Sequence, residues 1–355
     1  MTFSAPTSAF SAASRLLSER PYALVLALVT ALLTNAGLVY LYWHFGIGAD
    51  YEVFWRAARN PTPYAYSPLP FGNPPTTLLF LQPLRLVGFW DGLVVWDVAT
   101  FAFFLVVGSR VYGRKAALLG SISPAVVTAL IAGQISLLVG ALVFSAFLSG
   151  PIVCGILLGL ALCAKPQMIF LAPLLFLFAR EIRPLIAFSA TVALLALTAT
   201  LAFGPAIWTD WIQGMHNLLF VAKHRGALFL TISPMTRGAW IGFVSIPASV
   251  LGLYLCRNLS RANRAAAVVA ASLFAAPYSM VYDLSPLAVF AAAQIVRSST
   301  WRSIAAALAY SGALGPLSVP CLWPSLQEGR DQPRPLPRPQ RFPSWRTWMV
   351  PTRSA

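Results

Sequence analysis

The stretch PYALVLALVTALLTNAGLVYLYWHF, residues 21–45, decides the fold class because it contains no Asp, Glu, Lys or Arg. A helix needs about 20 apolar residues to cross a bilayer. The stretch is too long for the core of a signal peptide, and it ends without the small-residue cleavage site that such peptides carry. We therefore expect it to remain in the protein as a membrane-anchoring helix.

The composition extends this expectation to the whole chain. Of the 355 residues, 58% are hydrophobic and only 10% are charged, with a mean hydropathy of +0.72. No soluble domain with a polar surface has such a composition. The net charge of +15 would suggest a nucleic-acid partner in a soluble protein, but here Lys and Arg fall in short breaks between apolar runs. This arrangement is typical of topology signals, so the expected partner is the lipid bilayer and not nucleic acid.

The apolar runs predict an all-α polytopic membrane protein with about ten or eleven transmembrane helices. Several middle runs are short and broken by Gly or Pro, and these could be half-helices or tilted hairpins. The apolar piece 74–89 would break the alternation of sides, so we expect it to form an interfacial or re-entrant helix of the outer loop. The predicted crossings lie near residues 22–45, 91–109, 116–132, 135–149, 152–164, 167–179, 184–203, 241–256, 265–279, 284–297 and 302–319.

Basic residues give the expected orientation, because cytoplasmic loops are enriched in Lys and Arg. They cluster at alternate breaks, which we place on the cytoplasmic side of the cell's inner (plasma) membrane. Segments 46–90, 204–240 and 278–283 then lie on the periplasmic or outer side. These segments contain Asp50, Glu52, Asp210 and Asp283, and the basic clusters are Arg15/Arg20, Arg110/Arg114/Lys115, Arg180/Arg183, Arg257/Arg261/Arg264 and Arg297/Arg302.

We expect one transmembrane catalytic domain, residues 1–320, with its large outer loops at 46–90 and 204–240. Residues 321–355 are rich in Pro and Arg and poor in aliphatic side chains, which predicts a disordered tail. The number of crossings would leave this tail outside, whereas its arginines favour the cytoplasm, and both locations stay open.

The sequence shows neither a nucleotide-binding loop nor a metal-binding pattern. GxGxxG and GxxxxGK[ST] motifs are absent, and the cysteines are isolated, as expected of small apolar residues. His216 and His224 with Asp210 lack the tight spacing of metal ligands. We expect no cofactor, and a divalent metal at Asp50 and Glu52 is the weaker alternative.

Asp50 is the strongest candidate for a catalytic residue. It follows the first apolar run and begins an outer loop rich in aromatic side chains, where a lipid-borne substrate would present its polar head. A positioned carboxylate base contributes about 10²–10⁴ in rate. The alternative is an interfacial acid that only caps the next helix. Glu52 could share a face with Asp50 only in an extended loop, because residues two apart diverge on a helix.

Other polar residues interrupt apolar segments. Lys165 precedes the helix-breaking Pro166, and a buried lysine is costly without an anionic partner, unless its ammonium extends to the headgroup region. Gln134 could bind sugar or phosphate, or make a helix–helix contact. Arg56 and Arg59 could neutralise a phosphate or face lipid headgroups. A further polar group comprises Tyr278, Tyr282 and Asp283.

Six segments, in this order, resemble those of glycosyltransferase family 87, over roughly residues 22–300. The family consists of integral-membrane enzymes of the GT-C type, similar to the mannosyltransferases that use polyprenyl-phosphate mannose. The segments are VFWRAA (53–58), PFGNPPTTLLFLQPL (70–84), AGQISLLVGAL (132–142), GILLGLALCAKPQMIFLAPLLFL (155–177), FGPAIWTDWIQ (203–213) and AAPYSMVYDLSPLAV (275–289).

The resemblance implies transfer of one sugar, mannose-like, from a polyprenyl-phosphate donor to a lipid or glycan acceptor at the extracytoplasmic face, with inversion. By the family pattern Asp50 would be the general base. Lys165, Arg56 and Arg59 are the candidates for binding the donor phosphate, which leaves as an anion and needs cations rather than a general acid. The candidates for substrate binding are Glu52, Gln134, Tyr278, Tyr282 and Asp283. Related enzymes often have histidines where Tyr282 and Asp283 stand, which leaves the donor sugar and the acceptor open.

Two other classes of membrane protein are alternatives to the transferase. A transporter or flippase for a lipid-linked or small solute would also be polytopic, but transporters usually show two matching halves with polar sites near the membrane midplane. A polymerase or ligase of lipid-linked glycans would use a long loop late in the chain. Polar residues that collect on one side of the membrane favour the transferase.

Overall fold

The computed structural model describes residues 21–60, 62–65, 71–224, 233–237, 239–297, 306–307 and 310. Within these ranges every regular element is helical and none is a strand. This confirms the predicted all-α class of a polytopic membrane protein. The segment 302–319 lies mostly outside the described residues, and the predicted tail 321–355 lies wholly outside them.

The helices coincide with the apolar runs. Every crossing predicted between residues 22 and 297 falls on a helix or a bent helix pair. The α-helices are α1 (Pro21–Phe45), α2 (Ala49–Arg59), α3 (Pro75–Leu81), α4 (Phe89–Tyr112), α5 (Arg114–Ser121), α6 (Pro124–Ala132), α7 (Ser136–Leu148), α8 (Pro151–Ala164), α9 (Ala172–Phe178), α10 (Ile182–Phe203), α11 (Ala206–His224), α12 (Gly242–Cys256), α13 (Arg261–Ala275) and α14 (Ser285–Arg297). Short 3₁₀ helices lie at Pro63–Ala65, Gln82–Leu86, Pro166–Met168, Pro234–Arg237, Ala239–Ile241 and Val281–Leu284.

Three helices of the described part are long and apolar enough to cross a membrane alone: Leu24–His44, Phe89–Tyr112 and Ile182–Phe203. A fourth span is available if α5 and α6 count as one, although the pair bends by 60° at its break. Pro124 begins α6 and the Ser123 hydroxyl accepts a hydrogen bond at its N-terminus, which explains the break. The remaining apolar helices are shorter, as the Gly and Pro residues of the middle runs predicted.

Small residues let neighbouring helices approach closely. Helices α8 and α10 contact each other most extensively. A Cβ atom added to Gly155 of α8 would lie 2.2 Å from the carbonyl oxygen of Pro184, and one added to Gly159 would lie 2.8 Å from Thr191 Cβ. Close backbone approach through glycine is a usual way of packing helices in a membrane.

The helix bundle has two chemically different ends. At the first, here called the site end, α1 and α8 terminate, α6 and α7 meet, and the connection 276–284 follows α13. At the second, here called the basic end, α4 and α7 terminate while α8, α10 and α13 begin. At the basic end, two hydrogen bonds of 2.7 Å connect α4 to α13 and α14. Tyr112 Oη donates to the Ala262 carbonyl, and Arg297 donates to the Tyr112 carbonyl.

The apolar segment 74–89 forms α3 and a 3₁₀ helix rather than a crossing. Helix α3 has only 7 residues, too few to span a bilayer. It packs against α8 and α10 and thereby brings polar side chains of its first turn to the end of α8.

Candidate active site

Asp50 lies in the first turn of α2, directly after the turn that ends α1. That turn needs glycine, because Gly46 and Gly48 have φ values of 103° and 75°. The N-cap position of α2 is Gly48, without a side-chain cap, so Asp50 does not make the capping bond that was its alternative role. The residue as a whole is partly exposed, and it lines a cavity of about 320 Å³.

Lys165 follows the last residue of α8 in a non-helical conformation, with Pro166 next in the chain. The break leaves carbonyl groups of the last turn without helical partners. The carbonyl of Cys163 accepts hydrogen bonds from Thr76 Oγ1 at 2.6 Å and from Thr77 Oγ1 at 3.1 Å. The carbonyl of Ala164 accepts from Thr77 Oγ1 at 3.0 Å and from Asn73 Nδ2 at 3.2 Å. The start of α3 therefore fixes the backbone from which Lys165 projects.

The Lys165 ammonium is surrounded by oxygen atoms. It donates to Gln134 Oε1 at 3.0 Å and to Ser136 Oγ at 2.7 Å, and it lies 2.5 Å from Asp283 Oδ1. It also lies 4.3 Å from the centre of the Tyr282 ring. An ammonium has three donors, so these three oxygens match its full hydrogen-bonding capacity. The side chain does not extend to the headgroup region: it is 3% exposed.

Asp283 provides the compensating charge and is itself fully buried. Its Oδ1 atom accepts from Ser136 Oγ at 3.0 Å, and its Oδ2 atom accepts from the Met280 N–H at 2.9 Å. The second bond closes the start of the 3₁₀ helix Val281–Leu284. A buried ion pair persists when its remaining lone pairs and protons find partners, as they do here.

Gln134 connects the buried pair to Asp50. It occupies the break between α6 and α7, after Gly133, whose φ is 69°. Its Oε1 atom accepts from Lys165 and from the Ile135 N–H, and its side chain is hydrogen-bonded to Asp50. Lys165, Gln134 and Asp50 thus form one chain of contacts along the cavity.

This environment sets the protonation of Asp50. Burial raises the pKa of the carboxyl group, and the negative charge of Asp283 raises it further. The hydrogen bond from Gln134 and the charge of Lys165 act in the opposite direction. Asp50 is therefore a carboxylate of increased basicity that is still stabilised as an anion by two neighbours.

Aromatic side chains form much of the cavity wall. Tyr278 and Tyr282 lie on the connection after α13, and burial raises the pKa of both phenols, so they remain protonated donors at neutral pH. Trp211 of α11 donates its indole N–H to the Gly72 carbonyl at 3.3 Å. The lining residues are Asp50, Val53, Phe54, Gly72, Asn73, Gln134, Lys165, Pro166, Gln167, Phe170, Trp211, Met215, Pro277, Tyr278 and Tyr282.

The structure brings six of the predicted site residues together and places three elsewhere. The six are Asp50, Gln134, Lys165, Tyr278, Tyr282 and Asp283. Glu52 lies two positions after Asp50 on α2, hence on another face, where it pairs with Arg56; the two side chains are 44% and 45% exposed. Arg59 donates to the carbonyls of Trp55, Arg85 and Val87 and lies over the Trp55 ring.

The residues that support this cluster are ones the sequence did not single out. Ser136 accepts from Lys165 and donates to Asp283, and the hydroxyls of Thr76 and Thr77 hold the end of α8. For Ser136 and for the two threonines, the available signal was a hydroxyl residue next to a helix break in an apolar region. Within the described residues, no group of three or more His, Cys, Asp or Glu side chains is suited to hold a metal. The side chains of Lys223, His224 and Arg225 lie outside the described part of the structure.

One family of known proteins matches the chain over the segments that form much of this cavity. The family model of glycosyltransferase family 87 matches residues 71–281, more than half of the chain. The matched range includes Gln134, Lys165 and Tyr278, whereas Asp50 precedes it and Tyr282 and Asp283 directly follow it. No curated protein and no solved structure matches the chain.

Proposed function

The chain belongs to glycosyltransferase family 87, and from this premise we propose that it transfers one hexose, mannose-like, from a polyprenyl-phosphate donor to a lipid or glycan acceptor. The observation that carries the proposal is a basic carboxylate, Asp50, on the wall of a cavity of about 320 Å³ lined with aromatic side chains. The cavity lies at an end of the helix bundle, where a lipid-linked substrate could enter from the bilayer with its polar head first.

Asp50 acts as the general base in this proposal. Its carboxylate takes the proton of the acceptor hydroxyl while that oxygen forms a bond to the anomeric carbon of the donor. The bond from the anomeric carbon to the phosphate oxygen breaks, and the polyprenyl phosphate leaves with the electron pair. A single displacement of this kind inverts the anomeric configuration. The leaving phosphate carries its own charge and needs no general acid, so the chain's residues need only stabilise that charge.

Lys165 is the proposed source of positive charge near the leaving phosphate, because it lies on the cavity wall. Its three donors are taken by Gln134, Ser136 and Asp283, so it would act through its charge and not by a direct hydrogen bond. Its neighbours Gln134, Tyr278 and Tyr282 would bind the sugar and the phosphate through amide and phenol groups. Asp283 contributes by holding Lys165 in position. We leave Glu52, Arg56 and Arg59 out of the proposed site, because they lie on other faces of α2.

We also propose that the cavity faces the periplasm or exterior and that the protein resides in the inner (plasma) membrane. The exposed Arg110, Arg114, Lys115 and Arg183 are all at the basic end, opposite the cavity. Cytoplasmic segments are enriched in Lys and Arg, which supports a cytoplasmic basic end. Labelling of single cysteines introduced at Glu52 and Lys115 with a membrane-impermeant reagent tests this orientation.

The deciding experiment compares Asp50→Asn with Glu52→Gln, which removes a nearby charge that does not line the cavity. Membranes containing each variant are supplied with radiolabelled polyprenyl-phosphate sugars. We expect Asp50→Asn to lose transfer by about 10²–10⁴-fold and Glu52→Gln to remain near wild type. Equal transfer by wild type and Asp50→Asn would remove the base assignment. If neither the wild type nor Asp50→Asn transferred sugar and the membranes took up solute instead, a transporter would be favoured.

The pH profile tests the same assignment independently. A base works only when it is deprotonated, and burial raises the pKa of Asp50. The rate should therefore fall as pH decreases through a value above the ordinary range of Asp, and it should be fully expressed at higher pH. Gln134→Leu removes a hydrogen bond that lowers this pKa, so the acidic limb should move to higher pH. Gln167→Leu, which changes another amide of the cavity wall, should leave the limb in place.

A further inference from the structure

A second cavity, of about 380 Å³, lies at the basic end of the bundle. It is formed where α7 ends and where α8, α10 and α13 begin. Its lining includes Arg180, Arg183, Arg261 and Arg264 but only one acidic side chain, Glu181. The glycosyl-transfer proposal uses none of these residues, since they lie at the opposite end of the bundle from Asp50.

The single acidic side chain is already neutralised. Both carboxylate oxygens of Glu181 accept from Arg264, at 2.8 and 2.7 Å, which is the bidentate geometry that guanidinium and carboxylate groups prefer. The charges of Arg180, Arg183 and Arg261 therefore remain uncompensated by carboxylates of the described residues. All three side chains are exposed. Arg264 also has a buried Nε–H with no hydrogen-bond partner in the described part.

The start of α8 adds to the positive field of this cavity. Its first residue, Pro151, has no N–H, and its N-cap residue, Gly150, has no side chain to satisfy the N–H groups of Ile152 and Val153. Ser149 and Pro151 line the cavity. Free N–H groups and the helix dipole both favour an anion at such a position. Arginines that surround the same cavity favour an anion with several oxygen atoms, such as a phosphate.

The cavity is next to exposed apolar surface. On α8 the exposed side chains of Ile152 and Ile156 lie one turn apart, and on α10 those of Ile182 and Ile186 do the same. Ile182 also lines the cavity, and the other isoleucines follow along α8 and α10, away from the basic end. A ligand with a phosphate and hydrocarbon chains would match both surfaces, whereas a soluble phosphate compound would match only the arginines.

We propose that this arginine-lined cavity binds the phosphate headgroup of an anionic phospholipid from the leaflet at the basic end. The guanidinium groups of Arg180, Arg183 and Arg261 hold the phosphate oxygens, and the acyl chains lie along the isoleucines of α8 and α10. Basic pockets between transmembrane helices near the cytoplasmic surface are suited to such headgroups. This site is independent of the proposed transfer reaction.

The test uses the full chain in nanodiscs of phosphatidylcholine with a minor fraction of phosphatidylglycerol. Native mass spectrometry then counts the phosphatidylglycerol retained on the released protein. The triple variant Arg180→Gln, Arg183→Gln, Arg261→Gln should retain at least about tenfold less than wild type. The matched control is Arg110→Gln, Arg114→Gln, Lys115→Gln, which removes the same charge at the same end but outside the cavity, and it should retain wild-type amounts.

Two further measurements separate lipid binding from misfolding and from binding of a soluble phosphate. Thermal unfolding of both triple variants shows whether they are folded, and Arg183→Gln alone replaces the first variant if it is not. Inorganic phosphate and ATP are added as soluble competitors, and neither should displace the lipid at millimolar concentration. Equal retention by the two triple variants overturns the proposal, and so does displacement of the lipid by the soluble phosphates.

Discussion

An ion pair lies beside the cavity at each end of the bundle, and the two pairs differ in burial. At the site end, Lys165 and Asp283 are 3% and 0% exposed and 2.5 Å apart. At the basic end, Arg264 and Glu181 are 11% and 39% exposed and 2.7 Å apart. Water screens the second pair but not the first. Loss of the buried pair should therefore cost much stability, whereas loss of the screened pair should cost little.

Burial also decides what each end can offer to a ligand. At the site end the positive charge is bound internally, and its influence reaches the cavity through Gln134 and Asp50. At the basic end Arg180, Arg183 and Arg261 remain exposed around a cavity. The first arrangement suits a reaction that needs a base of controlled pKa, and the second suits reversible binding of an anion.

The largest effect should come from breaking the buried pair. Lys165→Met leaves Asp283 buried without a cation, which costs about 3–5 kcal/mol of stability. Arg261→Met at the basic end removes an exposed charge and should cost less than about 0.5 kcal/mol. Detergent-induced unfolding of the purified variants measures both values. A similar loss for the two variants would show that burial does not separate the two ends as we argue.

A second variant of the same pair separates charge from packing. Replacing both partners, as Lys165→Met with Asp283→Leu, removes the uncompensated charge, so part of the lost stability should return. Transfer should stay low in the double variant, because Gln134 would lose the ammonium that holds its side chain. Recovered transfer would assign Lys165 a purely structural role.

Next in size is a backbone effect at the break between α6 and α7. Gly133→Ala places a side chain at a φ of 69°, and the added Cβ would lie 2.5 Å from Tyr51 Cβ. The left-handed conformation alone costs roughly 1–2 kcal/mol. We also expect reduced transfer, because Gln134 is the next residue.

The matched control for Gly133 lies at the basic end. An added Cβ at Gly150 meets no atom within 4 Å, and the φ of that residue is −69°. Because Gly150 is the N-cap of α8, where alanine is unfavourable, Gly150→Ala should cost about 0.5–1 kcal/mol, less than Gly133→Ala. Unfolding and transfer assays of the two alanine variants, run side by side, measure the difference. If Gly150→Ala lost more stability than Gly133→Ala, the inference of tight packing around Gly133 would be wrong.

The sequence predicts the helices well, since long apolar runs have few alternatives to helical structure in lipid. It also identified Asp50, Gln134, Lys165 and Asp283 as polar residues in apolar surroundings, and the structure brings these four together. It could not show that Lys165 bonds to three oxygens, because those oxygens come from residues 134, 136 and 283. Contacts between distant segments depend on packing, which periodicity does not specify.

The side chains of α2 show a second limit of sequence reasoning. Asp50, Glu52, Arg56 and Arg59 were all candidates for the site because they are close in sequence. Once residues 49–59 form a helix, only Asp50 of these four lines the cavity. The sequence predicted an outer loop here, and the helix that forms instead decides which of the charges line the cavity.

A smaller effect concerns the hydroxyls that hold the end of α8. Thr76→Val removes the 2.6 Å hydrogen bond to the Cys163 carbonyl, which still accepts from Thr77. The loss should be about 0.5–1.5 kcal/mol. Ser149→Ala at the basic end removes a 2.7 Å bond to the Ser145 carbonyl within the same helix region, where such bonds add little stability. Unfolding measurements should therefore rank Thr76→Val above Ser149→Ala, and the reverse order would contradict the supporting role of α3.

Glu181→Gln should change stability only a little, yet this variant sharpens the comparison most directly. Because the pair with Arg264 is partly exposed, its loss should cost only about 0.2–1 kcal/mol. The same substitution adds one uncompensated positive charge to the cavity at the basic end, so retention of phosphatidylglycerol should rise by up to about fivefold. Native mass spectrometry in the nanodiscs described above measures that retention, with Glu52→Gln at the site end as the control. Unchanged retention would mean that the arginines of this cavity do not bind the lipid phosphate. A stability loss as large as that of Lys165→Met would mean that the ion pairs stabilise both ends equally.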